Sequence, residues 1–211
     1  MKRLLLRVII GSLIGLAIGA GFLAIFDLFV QPVMYNRYYL DVMRKCNDPS
    51  KKVIVRSWFS RGYNFTEIYD WVHGNLNFTS PDQRHTDPIN IKESGKGLCQ
   101  EFSILYTAAC LAHGYECRLV VATETSGLGF SGCHAWAEVM LSGHWVHVDP
   151  SDRRWGEPLM YKQWSWGEHI GSKVKIFAYG DSEVEDVSQS YICKNHLSDC
   201  WLSSNLTLQM F

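Results

Sequence analysis

The hydrophobic and polar positions divide this chain into a long apolar run, a mixed region and several segments with helical or strand periodicity. The apolar run covers residues 8–26, which are 19 positions without a charged side chain. A helix of that length spans a bilayer, and the run is longer than the apolar region of a cleaved signal peptide. The pattern predicts a single transmembrane signal anchor over residues 1–30, which contacts lipid through residues 8–30.

Two later segments have helical periodicity. In the first, residues 64–76, Asn64 is followed three positions later by Glu67, which is the pattern of a capping box, and an apolar stripe follows. The second begins after the loop-forming residues 94–97 and ends at Gly114. Between these limits apolar side chains recur at helical spacing, at Phe102, Leu105, Ala109 and Ala112.

Strand-like segments follow the second helix. Residues 116–122 form the first, and residues 134–141 and 144–149 are separated by Ser142 and Gly143, the signature of a hairpin with a two-residue turn. Residues 173–179 alternate like one further strand. This order of elements predicts an α+β fold in which the second helix packs on an antiparallel sheet.

The turn decides which side chains of the hairpin share a face. If Leu141 pairs with His144, Trp136 lies opposite Asp149, and His134 becomes a diagonal neighbour of Asp149 on the same face. Diagonal neighbours are roughly 7–8 Å apart, a separation that long side chains bridge. A three-residue turn would shift the register by one position and place the two residues on opposite faces.

Composition indicates one domain beside the anchor. With 211 residues, of which 47% are apolar, the chain is long enough for one hydrophobic core. Residues 31–60 mix aromatic and basic side chains and are interpreted as a juxtamembrane linker or a short helix. The catalytic domain is expected over residues 61–211. The net charge of −1 gives no indication of nucleic-acid binding.

Basic residues on the two sides of the apolar run bear on its orientation. Three precede the run and three follow it, at positions 37, 44 and 45, so the positive-inside count is equal. The cluster at the N-terminus favours a cytoplasmic N-terminus and a catalytic domain on the extracytoplasmic side. Gly11, Gly15 and Gly19 recur every four residues, a spacing that allows self-association, although glycines are also common in single membrane helices.

Seven cysteines are present, and none forms the CxxC pairs that are typical of zinc sites, so no metal or other cofactor is expected. In an oxidising compartment Cys193 and Cys200 would be the expected disulfide, because a short local loop closes easily. In a reducing compartment they would be thiols. The odd number leaves at least one cysteine free, as a nucleophile must be.

Cys99 is the candidate nucleophile because it lies in the first turn of the second helix. The unpaired amides and the positive dipole end of a helix favour a thiolate there, and the same amides can donate to an oxyanion. The alternative is that Cys99 is a small buried apolar residue, as most free cysteines are. Cys110, further along the helix and with no loop beside it, is interpreted as a core residue.

His134 and Asp149 are the candidate general base and orienting acid. One imidazole nitrogen would bind the carboxylate while the other faces a thiol presented by the helix. His147 lies on the same face, opposite Glu138, and is the rival candidate for the base. His144, next to the turn, is expected to be exposed.

Three blocks in this order resemble the transglutaminase-like superfamily of papain-type cysteine enzymes. They are GKGLCQEFSILYTAACLAHGYECRLV around Cys99, HAWAEV from His134 and GHWVHVDPS around Asp149. The upstream segment NFTEIYDWVHGNLNF is also similar to the helix that precedes the cysteine block in such domains. The resemblance implies a papain-like core with Cys99 as nucleophile, His134 as general base and Asp149 as the carboxylate that orients the histidine.

Departures from the family pattern limit what the resemblance implies. Animal transglutaminases have Gln and Trp on either side of the cysteine, where this chain has Leu98 and Gln100, and the chain has neither their flanking β-domains nor an acidic calcium loop. The peptide N-glycanase branch usually carries paired CxxC zinc ligands, which are absent here. The resemblance is therefore strongest to microbial transglutaminase-like proteins.

The function implied by the resemblance is thiol-mediated acyl transfer on amide bonds of a protein or peptide substrate. Transfer to water would make the chain a peptidase or amidase, which is the expected activity, and transfer to an amine would make it a cross-linking transglutaminase. A catalytically inactive, membrane-anchored binding module with the same fold is the alternative from another class of protein.

Overall fold

The computed structural model describes residues 31–126, 129–152, 173–188 and 190–191, together with positions 12, 15 and 19–21, which are helical. None of the helices in this described part combines the length and the apolar character that a bilayer crossing requires. Most of the expected anchor over residues 1–30, including Gly11, lies outside the described residues. The expected disulfide between Cys193 and Cys200 lies outside them as well.

From residue 31 onward, the described part of the chain has five helices and two very short strands before the main sheet. The helices are α1 (Gln31–Asn47), α2 (Pro49–Ser57), α3 (Phe65–Asn75), α4 (Pro88–Ser94) and α5 (Cys99–Ala112). Strands β1 (Asn77–Phe78) and β2 (Lys96–Gly97) pair in parallel immediately before α5. The polar segment between α3 and α5 therefore contains a short helix and a two-stranded ladder.

A five-stranded antiparallel sheet follows α5, which confirms the predicted α+β fold. Its strands are β3 (Cys117–Ser126), β4 (Gly129–Leu141), β5 (His144–Val148), β6 (Lys173–Tyr179) and β7 (Val184–Asp186). The spatial order is β5-β4-β3-β6-β7, with every neighbouring pair antiparallel. Strand β6 coincides with the alternating segment expected at residues 173–179.

Helix α5 is the centre of the domain. Eleven of its residues are buried, and the mostly apolar sequence has no polar face, as expected of a helix surrounded by protein. It packs against β3 and β4 on one side and against α1, α2, α3 and α4 on the others. Cys110 is fully buried, in agreement with its interpretation as a core residue.

The starts of α2 and α3 follow local capping rules. At α3, Asn64 Oδ1 accepts from the Glu67 amide at 2.9 Å and Glu67 Oε2 accepts from the Asn64 amide at 2.9 Å, so the predicted capping box is present. At α2, Asp48 caps the helix and Pro49 occupies its first turn, where its missing N–H costs no hydrogen bond.

Residues 31–57 form two helices, where the mixed composition indicated a juxtamembrane linker or a short helix. The buried side chains of α1 recur at helical spacing and belong to the main core: Tyr39, Val42, Met43 and Cys46. The difference arises because the polar and basic residues between them occupy the outer side of the helix and conceal the stripe in a linear reading. These two helices are therefore structural parts of the domain.

The β4–β5 hairpin has the predicted register. Pairing runs from Leu141 with His144 to Ala137 with Val148. The two turn residues, Ser142 and Gly143, have φ angles of 52° and 83°, as a two-residue turn of the mirror-image type requires. This register brings the start of β4 close to the residues that follow β5.

The sheet is buried on both faces near its centre. Alternate residues of β3 and β4 pack against the α5 side, namely Leu119, Val121, Ala135, Ala137 and Val139. The intervening residues form a second cluster on the opposite face, with Val120, Ala122, Trp136, Ile176, Ala178, Val187 and Tyr191. Such burial holds the strands, and the polar side chains at their ends, in one arrangement.

Candidate active site

Cys99 is the first residue of α5 and is half-buried. Its turn is tied to the sheet through Ser103, whose hydroxyl lies 2.7 Å from the Cys99 carbonyl oxygen and 2.9 Å from the Ala135 carbonyl oxygen. Because Ala135 follows His134 in β4, this contact brings the N-terminal turn of α5 beside the histidine.

His134 and Asp149 form a buried pair. The Nε2 atom of His134 lies 2.6 Å from Oδ2 of Asp149. The other carboxylate oxygen accepts hydrogen bonds from the Ser151 amide at 2.9 Å and from the Ser151 hydroxyl at 2.6 Å. The exposed fractions are 9% for His134 and 3% for Asp149, so water competes little with these contacts. The carboxylate is therefore fixed on both oxygens and holds the ring in one orientation.

The pKa values of this pair favour its charged forms. Burial lowers the pKa of His134, but hydrogen bonds with Asp149 and Cys99 outweigh this effect and raise it to about 9. For Asp149, burial raises the pKa, but the hydrogen bonds from His134 and Ser151 lower it by a larger amount. The pKa of Asp149 is therefore below its usual value. An imidazolium beside a carboxylate is the arrangement that both shifts favour.

Cys99 also acts on the His134 ring, because it contributes to the raised pKa of His134. The sulfur and the imidazole therefore lie close enough to interact. The structure thus brings the buried His134–Asp149 pair beside the helix turn that carries Cys99. This is the geometry in which a thiol can transfer its proton to a histidine whose orientation a carboxylate maintains.

His147, the rival candidate, has a different environment. Its Nε2 lies 3.3 Å from Oε1 of the buried Glu138, and its ring stacks on Tyr191 with 4.7 Å between centroids. Glu138 also accepts from the Tyr191 hydroxyl and from Arg118 Nε. These contacts place His147 in a polar network on the sheet face opposite α5. His144 is exposed, as expected.

The network around Glu138 also supports the catalytic-site histidine. The His134 ring stacks on Trp136, with 5.8 Å between centroids. Trp136 Nε1 donates to the Tyr191 hydroxyl at 3.0 Å, and that hydroxyl donates to Glu138. A ring packed in this way has little freedom to turn, which preserves its alignment with Asp149.

Two charged residues at the site, Glu101 and Arg84, were not predicted from the sequence. Glu101 is fully buried, and its Oε2 accepts from the Leu98 amide at 2.9 Å. Arg84 Nη1 binds both oxygens of this carboxylate, at 2.9 and 2.7 Å. The position of Glu101, three residues after the residue that precedes the helix, is a signal for amide capping. No local pattern connects it to Arg84, which lies 17 positions earlier.

Comparison with known proteins agrees with this geometry. A family model described as Transglutaminase-like superfamily matches residues 59–150, an interval that includes Cys99, His134 and Asp149. Residues 59–150 belong to the transglutaminase-like superfamily. The resemblance predicted from the three sequence blocks is confirmed. Helices α1 and α2 precede the matched interval but share the core of the transglutaminase-like domain.

Similar curated proteins carry the name peptide-N(4)-(N-acetyl-beta-glucosaminyl)asparagine amidase. The protein from Oryza sativa subsp. japonica is 32% identical over 58% of this chain and 26% of its own length. The protein from Drosophila melanogaster is 34% identical over 51% of this chain and 16% of its own length. This chain therefore aligns with about a quarter or less of these two relatives.

A solved structure with a similar fold comes from work on DNA duplex opening by the β-hairpin motifs of the Rad4/XPC nucleotide excision repair complex. The TM-score is 0.56, with alignment over 90% of this chain and 56% of that chain. The sequence identity is 10%, so this likeness concerns the fold alone.

Proposed function

We propose that this chain is a cysteine-dependent amide hydrolase in which Cys99 is the nucleophile, His134 the general acid and base, and Asp149 the residue that orients His134. The observation that carries the proposal is the buried His134–Asp149 bond at 2.6 Å, which lies beside the helix turn that carries Cys99. The similarity of the transglutaminase-like domain to amidases supports the same reaction class.

In the first half of the reaction, the Cys99 thiolate attacks the carbonyl carbon of a substrate amide. The charge that develops on the carbonyl oxygen lies near the amides of the first turn of α5, which make no intrahelical hydrogen bond. The His134 imidazolium then donates its proton to the leaving nitrogen, the carbon–nitrogen bond breaks, and an amine departs from a thioester intermediate.

In the second half, neutral His134 removes a proton from water. The resulting hydroxide attacks the thioester carbon, the carbon–sulfur bond breaks, and the sulfur leaves as a thiolate while the ring keeps its proton. Asp149 keeps the imidazolium favourable through both halves, since its carboxylate raises the pKa of His134. The products are a carboxylic acid and an amine, and the enzyme regains its resting state.

The substrate class proposed is a protein or peptide amide, which follows the names of the similar amidases. A suitable panel contains a peptide with N-acetylglucosaminyl asparagine, the same peptide without sugar, and a glutamine peptide mixed with a fluorescent primary amine. Mass spectrometry would identify the bond that is cleaved. Labelling of the glutamine peptide by the amine would instead assign cross-linking transglutaminase activity.

Variants of the three residues test the mechanism. We expect Cys99→Ala and His134→Ala to abolish turnover of whichever panel member is cleaved, whereas His144→Ala, at an exposed histidine ten positions away, retains the wild-type rate. Activity that persists in Cys99→Ala would contradict the proposal. If the folded wild-type protein cleaves no panel member and Cys99 reacts with iodoacetamide no faster than in the denatured chain, the binding-module alternative would replace it.

The location proposed for the enzyme is a membrane, with residues 8–30 as anchor and the transglutaminase-like domain on the extracytoplasmic side. The support is the uncharged run of 19 residues and the basic cluster before it. Alkaline carbonate extraction of membranes from expressing cells should leave the full chain in the pellet. Protease added to intact cells or spheroplasts should digest the domain, and protection of the domain would reverse the orientation.

A further inference from the structure

Glu101 places a negative charge where a thiolate must form. Its side chain folds back along the first turn of α5, since Oε2 accepts from the Leu98 amide at 2.9 Å. The carboxylate therefore occupies the N-terminal end of the same helix as Cys99, and it is fully buried. An anion in that position stabilises the helix end but repels a second anion on the neighbouring sulfur.

The backbone that leads into Cys99 packs closely against Glu101. A Cβ atom placed on Gly97 would lie 2.6 Å from the Cβ of Glu101, a distance that real Cβ atoms do not show. Gly97 is held in this position by pairing of β2 with β1, and its carbonyl oxygen accepts from the Thr79 amide at 3.0 Å. The Cβ of Glu101 is consequently packed directly against the backbone of Gly97, two residues before Cys99.

Arg84 supplies the opposite charge. It lies in the segment between β1 and α4, and its Nη1 binds both Glu101 oxygens. The pKa of Arg84 is raised, mainly by the hydrogen bond with Glu101 and also by the charge of Cys99. Since Coulomb attraction is mutual, the guanidinium that is stabilised by a Cys99 thiolate stabilises that thiolate in return.

We propose that Arg84 is a positioning residue for the nucleophile: it neutralises the buried Glu101 carboxylate in the first turn of α5 and so offsets the repulsion that this carboxylate would exert on a Cys99 thiolate. This inference rests on the proposed function, because it assigns Arg84 a role only if Cys99 is the nucleophile. Among the described residues, the charged and titratable groups on the elements around Cys99 include His134 from β4, Glu101 from α5 and Arg84 from the segment before α4. Tyr38 of α1 accepts a hydrogen bond at 2.7 Å from Gln100, the residue after Cys99.

Single and double charge changes separate this role from simple structural support. We expect Arg84→Gln to slow alkylation of Cys99 by iodoacetamide at pH 6.5 by about tenfold or more, since it leaves the buried Glu101 charge uncompensated in the turn that carries the sulfur. Glu101→Gln removes the repelling anion and retains the amide-capping oxygen, so alkylation should become faster than in the wild type. The double variant should return to within about threefold of the wild-type rate.

Rescue and control variants complete the set. Arg84→Lys keeps the positive charge and should recover most of the rate lost in Arg84→Gln. Arg56→Gln removes an exposed arginine on α2 and should leave the rate unchanged. The measurement is the second-order alkylation rate of Cys99, followed by peptide mass spectrometry between pH 5 and pH 10, with circular dichroism to verify the fold.

The outcomes distinguish this inference from the proposed function. If Cys99 in the wild type reacts no faster than in the denatured chain, the proposed function itself fails. If Cys99 reacts selectively but Glu101→Gln is unchanged or slower, Arg84 and Glu101 are only structural and the inference is overturned. Arg84→Gln leaves a buried carboxylate unpaired, which could prevent folding. The comparison of Glu101→Gln with the wild type remains decisive in that case.

Discussion

His134 Nε2 and Asp149 Oδ2 lie 2.6 Å apart, and the second oxygen of Asp149 is occupied by the amide and hydroxyl of Ser151. The carboxylate thus has no freedom to rotate away from the ring, and the ring is restrained further by stacking on Trp136. The protonation state of His134 is consequently set by a rigid neighbour rather than by solvent, which leads to a pH-dependent test.

Asp149→Asn should move the alkaline limit of activity to lower pH. In the wild type the pKa of His134 is raised to about 9, against the effect of burial, by its bonds with Asp149 and Cys99. The imidazolium, which is the proton donor in the first half of the reaction, is lost as the pH rises through that value. An amide in place of the carboxylate lowers the pKa, so the proton donor is lost at lower pH.

The measurement is kcat/KM as a function of pH for the cleaved panel substrate. We expect a decrease of about 100-fold or more at pH 8 in Asp149→Asn, in line with the usual contribution of general acid–base catalysis. Asp181→Asn, at an exposed aspartate in the turn between β6 and β7, serves as the control. An alkaline limit that does not move would show that Asp149 does not control the protonation of His134.

Stability should also depend on the His134–Asp149 pair. The pKa of His134 in the folded state, about 9, exceeds its unfolded value of about 6.5. The pair therefore contributes stability fully below about pH 6.5, and the contribution is lost as pH rises through about 9. At the acidic side, the lowered pKa of Asp149 gives stability that is present above about pH 4 and lost as pH falls further.

Urea unfolding of the wild type and of His134→Gln at several pH values measures this contribution. The wild type should lose on the order of 3 kcal/mol between pH 6 and pH 10 relative to the variant, since one pKa unit corresponds to about 1.4 kcal/mol. The pKa shifts of His134 and Asp149 arise from the same contact, so the free energies calculated from them are not added together. A difference between the two proteins that is constant with pH would contradict the assigned pKa shift.

Gly97→Ala should change the position of Cys99 indirectly, through the backbone that precedes it. The added Cβ would meet the Glu101 Cβ at 2.6 Å, so the backbone before Cys99 must shift. We expect a loss of about 1–3 kcal/mol in unfolding free energy, together with slower alkylation of Cys99. In Gly62→Ala no atom lies within 4 Å of the added Cβ, so both quantities should remain close to the wild type. Equal behaviour of the two variants would contradict the tight packing at Gly97.

Met43→Ala tests whether α1 is part of the domain. Met43 is 1% exposed and belongs to the main core, so its truncation should cost about 2–4 kcal/mol of unfolding free energy. Met34→Ala on the same helix removes a side chain that is 60% exposed and should cost less than about 0.5 kcal/mol. Thermal or urea unfolding compares them directly, and equal stabilities would indicate that α1 does not pack on the core in solution.

Local patterns predicted the elements where one rule dominates. The capping box of Asn64 and Glu67 and the Ser142–Gly143 turn both depend on residues a few positions apart, and both are present. The turn also determined the register of the β4–β5 hairpin, because side chains alternate with period two along each strand. In α1, by contrast, the core-facing stripe is narrow and interrupted by polar residues, so composition alone left a linker and a short helix as alternatives.

The sequence by itself determined the family of residues 59–150, the order of helix and strands, and the three side chains that form the candidate site. These follow from short-range rules of capping, turns and alternation, together with the three ordered blocks. Only the tertiary structure revealed that Arg84 neutralises Glu101 beside Cys99, and that α1 and α2 complete the core. Contacts between distant segments depend on how whole elements pack. A buried charge requires a partner of opposite charge, but this requirement leaves no periodic pattern in the sequence.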